Sequence, residues 1–108
     1  MTLQELQKKA LELQEKYDAL NDQKGRPRWT TLNLAQGFEG DVGELMKIIM
    51  AKEGLRPLGD AAERLPHELS DCLWSILVLA DKYQIDLEKA FLNTLEEVEK
   101  RDIGTALK

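Results

Sequence analysis

The segment from Leu69 to Ala80 is apolar almost all the way round. At about 100° per residue on a helix, Leu69, Cys72, Leu73, Trp74, Ile76, Leu77, Val78, Leu79 and Ala80 cover most of the circumference. They leave one narrow polar stripe, made by Glu68, Asp71 and Ser75. A helix of this kind is buried on several sides, so other apolar surfaces have to surround it. Its polar stripe then faces either a thin strip of solvent or an internal site. The strongly apolar run, residues 72–80, is too short to cross a membrane.

The rest of the chain supplies helices to pack against it. Leu3, Leu6, Ala10, Leu13, Tyr17 and Leu20 alternate three and four apart, a heptad-like seam on a first helix over 2–20. Gly25 and Pro27 break the period in a loop that carries Lys24, Arg26 and Arg28 beside Trp29. Thr30 or Thr31 caps a second helix over 32–53, which ends at Gly54. The stretch Leu55–Gly59 is a second connection. Asp60 and Glu63 have capping-box spacing, with Pro66 close behind. The third helix therefore starts near 61 with a disturbance or near 65 with Pro66 in its first turn, and runs to about Tyr83. Asp86 caps a fourth helix through about Asp102, with an apolar stripe of Leu87, Phe91, Leu95 and Val98. Nothing reads as a strand. Four helices with short connections predict an all-α, antiparallel four-helix bundle, one domain over residues 1–108.

At 108 residues the core is modest, and oligomerisation would help bury apolar surface. The net charge of −5 argues against a nucleic-acid polymer as partner, because such proteins carry a basic face. The single cysteine, Cys72, excludes an intrachain disulfide and reads as a small buried side chain. The N-terminus lacks an apolar signal core, and a reducing cytoplasm is the expected location.

On the second helix, Leu34, Gly37, Asp41, Glu44 and Ile48 share one stripe. Its ends are apolar and its middle is Gly-Asp-Glu: a core seam with a polar pocket cut into it, or a solvent-facing strip. Glu68 and Asp71 repeat the same spacing on the third helix. Several unpaired carboxylates in a packed interior are costly and repel one another, and a cation resolves both problems. Four carboxylates with no nearby thiol suit a hard, oxygen-seeking ion such as Mg²⁺, with Mn²⁺ a possible substitute. Di-iron bundles use Glu-x-x-His pairs. The only histidine, His67, precedes Glu68 instead and reads as a surface or capping residue.

Asp-x-x-Glu on the second helix, Glu-x-x-Asp on the third and the run "DCLWSILVLADKYQIDLEKAF" together resemble the MazG-like family. These are all-α nucleoside triphosphate pyrophosphohydrolases related to the dimeric dUTPases. The similarity extends from "RWTTLNLAQGFEGDVGEL" to "EKRD". It implies that Asp41, Glu44, Glu68 and Asp71 are Mg²⁺ ligands. It also implies hydrolysis of a nucleotide to its monophosphate and pyrophosphate by a homodimer or a dimer of dimers. The chain has Asp41 where the family usually has Glu, and Gly40 where another Glu often stands. Its last helix offers Lys100 and Arg101 where relatives often present Lys and Asn to phosphate.

Within that chemistry, Glu44 orients or deprotonates the attacking water. Lys47 meets phosphate or pairs with Glu44 at the surface. Trp29 stacks on a base or covers the bundle end as a staple. Asn33 reads a base edge or serves the helix start, and Trp74 walls the pocket or packs the core. Arg101 is the expected phosphate contact on the last helix; Arg26 and Arg28 meet phosphates or remain in a solvated loop. The competing classes are a non-catalytic helical interaction protein and a degenerate relative that binds nucleotide and metal with little turnover.

Overall fold

The computed structural model describes residues 1–57 and 59–104. Leu58, in the expected second connection, lies outside the described residues, as do 105–108. The chain is all-α. Helix α1 spans Leu3–Gln23, α2 Thr31–Lys52, α3 Ala61–Lys82 and α4 Leu87–Val98, followed by a π-helical turn over Glu99–Gly104. No strand occurs among the described residues.

Local chemistry sets these limits. Thr2 and Thr30 cap α1 and α2 with reciprocal boxes: each hydroxyl accepts from the backbone three residues on, and Glu5 or Asn33 reaches back to the cap N–H. Asp86 accepts from Lys89 N–H at the start of α4. The third helix takes the earlier of its two possible starts, at Ala61, although the Asp60 side chain makes no capping bond. Pro66 lies inside α3 and leaves one backbone hydrogen bond unmade.

Three helices stop in the same way, with one residue at positive φ and a bond from the next N–H to a carbonyl five residues back. Gly25, Gly54 and Gln84 hold the positive φ. The bonds run from Arg26 to Asn21, Leu55 to Met50 and Ile85 to Ala80.

Helices α2 and α3 form an antiparallel hairpin, with Glu44 beside Arg64 at one end and Leu34 packed with Leu77 and Val78 toward the other. Ile48 and Val78 are completely buried; each such side chain contributes roughly 1.5–3 kcal/mol by leaving water. Helix α1 lies against the hairpin at Leu77 and Trp74. Gln7 Nε2 donates to the Leu77 carbonyl, and Trp74 Nε1 donates to the Ala10 carbonyl.

The buried face of α1 is rotated from the expected leucine seam. The seam shares Leu3 and Ala10 with the inward face, but Gln14 and Asn21 are buried while Leu6, Leu13 and Leu20 are 38–43% exposed. Helix α4 departs further from a closed bundle. Its first residue, Leu87, touches the core, but none of its residues is buried. Phe91, Leu92 and Leu95 are at least half exposed. The radius of gyration is 17.5 Å, against about 13 Å for a compact chain of this length.

Candidate active site

The polar stripes of α2 and α3 face each other across the hairpin. On α2, Leu34 and Ile48 are buried, with Asp41 and Glu44 partly buried between them. On α3, Glu68 and Ser75 are buried. The polar middle is thus half-buried: Glu68 and Ser75 face inward, while Glu44 and Asp71 keep part of their side chains in solvent.

Three carboxylates converge there. Asp41, Glu68 and Asp71 each present a ligand atom within 4.8 Å of the others. Glu68 Oε2 is buried and has no hydrogen-bond partner. His67 Nε2 sits 3.1 Å from Asp71 Oδ2 at the exposed edge. Burial, and then the Asp71 charge, push the Asp41 carboxyl above its ordinary range, against a smaller opposing effect of His67. The cluster is thus short of positive charge and holds an orphaned buried oxygen. Hard oxygen donors in this number and spacing fit a divalent cation.

Cys72 is closer to this cluster than the sequence reading allowed. It is buried, and burial followed by the charges of Asp41, Glu68 and Asp71 raises its thiol pKa. The thiol therefore stays protonated at neutral pH.

Glu44 stands apart from the three. Its Oε1 accepts from Lys47 Nζ at 3.1 Å, and its Oε2 accepts from Arg64 Nη2 at 3.2 Å. The hydrogen bond and charge of Lys47, then those of Arg64, hold the Glu44 carboxyl below the usual range. Arg64 also lies 3.9 Å from Asp60 Oδ1 and 4.0 Å from Glu68 Oε1, so it links Glu44 on α2 to the cluster on α3. The sequence reading missed Arg64. Its signal was the stripe Asp60, Arg64, Glu68, Asp71 at helical spacing.

An aromatic wall adjoins the carboxylates. A cavity of about 260 Å³ is lined by Trp29, Asn33, Leu34, Gly37, Asp41, Trp74 and Ser75. A neighbouring hollow of about 460 Å³ shares Trp29, Asp41 and Trp74 with it and adds Leu13, Tyr17, His67, Ser70 and Asp71. The Tyr17 ring packs 4.7 Å from Trp29 and meets Trp74 edge-on at 6.3 Å. Sequence spacing marks Tyr17 only as a seam residue; its place in this wall shows in the structure alone. A Cβ at Gly37 would meet nothing within 4 Å, so the absent side chain leaves that side of the cavity open.

Several candidates thus have an observed structural task as well as a place in the wall. Asn33 Oδ1 accepts from Thr30 N–H as a cap and also lines the smaller cavity. Trp74 packs the core, bonds α1 and walls both hollows. Trp29 remains 39% exposed, with the Tyr17 ring packed against it at a tilt. Arg28 is committed to Asp22, at 2.6 Å. Arg101 bonds Asp102 through two nitrogens and lines a separate hollow with Glu97 and Lys100. It is not brought to the carboxylate cluster.

No helix among the described residues is long and apolar enough to cross a membrane. No curated protein and no solved structure matches the chain. The family model of the MazG nucleotide pyrophosphohydrolase domain matches residues 29–104, a span that contains the acidic cluster, Glu44 with its two cations, and both tryptophans. With more than half of its length covered by that match, the chain belongs to the MazG nucleotide pyrophosphohydrolase domain family.

Proposed function

We propose that the protein is a Mg²⁺-dependent hydrolase that converts a nucleoside triphosphate to its monophosphate and pyrophosphate. The observation that carries this reading is the convergence of Asp41, Glu68 and Asp71, with an unpartnered buried Glu68 oxygen, beside a tryptophan-lined cavity. Asp41, Glu68 and Asp71 would hold the cation, with Mn²⁺ able to substitute. When bound, that ion supplies charge neutralisation for the phosphate oxygens and orients the leaving group.

The side chains do the rest. Trp29 and Trp74 flank the nucleobase, with Tyr17 buttressing Trp29, and Asn33 offers an amide edge at the cavity mouth. Glu44 accepts a hydrogen bond from the attacking water. Water adds to the α-phosphorus and loses a proton by way of Glu44 to solvent, the bond to the α,β-bridging oxygen breaks, and the β,γ unit leaves intact with that oxygen. Lys47 keeps Glu44 ionised and in place. A nucleotide panel incubated with Mg²⁺, with pyrophosphate and orthophosphate measured separately, tests the assignment. Monophosphate and pyrophosphate are expected; release of orthophosphate and a diphosphate contradicts it.

The active form is a homodimer or a dimer of dimers, built from a single domain and working in the cytoplasm. Leu6, Leu13 and Leu20 on α1, Leu69, Leu73 and Ile76 on α3, and Phe91, Leu92 and Leu95 on α4 are all exposed large apolar side chains. A second copy would bury them, as such surface favours association. Light scattering should return at least twice the 12.3 kDa chain mass; a 12.3 kDa particle at micromolar concentration contradicts assembly.

A further inference from the structure

We propose that Arg64 is a polyphosphate-binding residue, stored on Glu44 in the ligand-free protein and transferred to substrate when the site fills. The inference rests on the triphosphate reading above and supplies the phosphate contact that Arg101, bonded to Asp102 on the π-helical turn, does not.

Three features of the geometry carry it. First, Arg64 stands at the edge of the acidic cluster, 4.0 Å from Glu68 Oε1, so a phosphate chain reaching a cation held by Glu68 would lie within the guanidinium's range. Second, its present bonds can be exchanged. It makes one hydrogen bond to Glu44 at 3.2 Å, with longer approaches to Asp60 at 3.9 Å and Glu68 at 4.0 Å. The planar fork of an arginine is suited to bidentate phosphate contacts, and that capacity is not used by these single-point contacts. Third, Glu44 is doubly neutralised. Lys47 holds Oε1 while Arg64 holds Oε2, so Arg64 can leave without stranding a carboxylate.

The transfer has a consequence for Glu44. When Arg64 turns to phosphate, Glu44 Oε2 loses its donor and becomes available to a water molecule. Arrival of the phosphate chain and freeing of the water acceptor then become one event, and water is not organised until substrate is present.

Calorimetric titration with inorganic tripolyphosphate in saturating Mg²⁺, and separately with Mn²⁺ alone, compares the wild type with Arg64→Met and Arg64→Lys. Arg64→Met should weaken tripolyphosphate binding about tenfold or more, the scale of a lost charge-assisted contact. Arg64→Lys should recover part of that loss, and Mn²⁺ affinity should be unchanged or higher in both. Equal tripolyphosphate affinity in the wild type and Arg64→Met, or no binding to the wild type, overturns the proposal. A parallel fall in Mn²⁺ affinity also overturns it, because Arg64 would then act by ordering the carboxylates. Should Arg64→Met not fold, Arg64→Lys decides: unchanged affinity for both ligands overturns the proposal. A wild type that binds tripolyphosphate through Arg64 but hydrolyses no nucleotide would remove the enzymatic reading and leave this one standing.

Discussion

Two groups of carboxylates share the face between α2 and α3, and they differ in what balances their charge. Glu44 has a cation on each oxygen, Lys47 and Arg64. Asp41, Glu68 and Asp71 have His67 at one edge, only a distant approach of Arg64 to Glu68 Oε1 at 4.0 Å, and a buried Glu68 oxygen with no partner. The protein neutralises the first group itself and leaves the second short of charge. The pKa directions follow: Glu44 is held low by its cations, whereas burial and a like-charged neighbour raise Asp41. Residues of one chemical type, about one helical turn apart on α2, thereby sit in different electrostatic surroundings. The unbalanced group suits an external cation. The balanced one suits a role that must not compete for that cation, such as holding water.

The largest test of this division is Asp71→Asn. It removes a charge from the unbalanced group, so turnover should fall by about a thousandfold, the upper range for losing a key electrostatic group. The increase in melting temperature that Mg²⁺ gives the wild type by mass action should shrink with it, while the metal-free protein should melt no lower than the wild type. A wild-type Mg²⁺ response in Asp71→Asn would break the comparison. Next comes Glu44→Gln, expected to lose about a hundredfold in turnover while folding, assembling and responding to Mg²⁺ as the wild type does. Full activity in this variant would return Glu44 to an ordinary surface role. Trp29→Ala should be milder, raising KM about tenfold through lost stacking with Mg²⁺ affinity unchanged; an effect confined to melting temperature would make Trp29 a structural cover for the helix end.

Much of this arrangement was legible because helical periodicity and carboxylate placement are local properties. Thr30, Gly54 and Asp86 act near the helix ends where their chemistry put them. The stripe Leu34, Gly37, Asp41, Glu44, Ile48 needed only the helical repeat. What was not legible depended on partners distant in sequence. Apolar spacing marks Leu6, Leu13 and Leu20 as a seam but does not say which face of α1 meets the hairpin; α1 docks through Gln7, Ala10 and Gln14, where the Leu77 carbonyl and the Trp74 indole meet it. The pairing of Glu44 with a second cation depended on Arg64, twenty residues further along. Helical spacing alone treats all four as equivalent. The effect of Asp41 on Cys72 was hidden for the same reason, since Asp41 lies on another helix.

The central claim, that the chain divides its carboxylates into a cation-binding three and a self-neutralised one, is tested most directly by Mn²⁺ binding measured by electron paramagnetic resonance. The comparison is between the wild type, Glu68→Gln and Glu44→Gln, each confirmed folded. The account predicts that Glu68→Gln loses at least about tenfold in affinity, within the range typical of disturbing a metal site, and that Glu44→Gln keeps the wild-type value. Equal losses in the two variants would make Glu44 a ligand like the others and contradict the division.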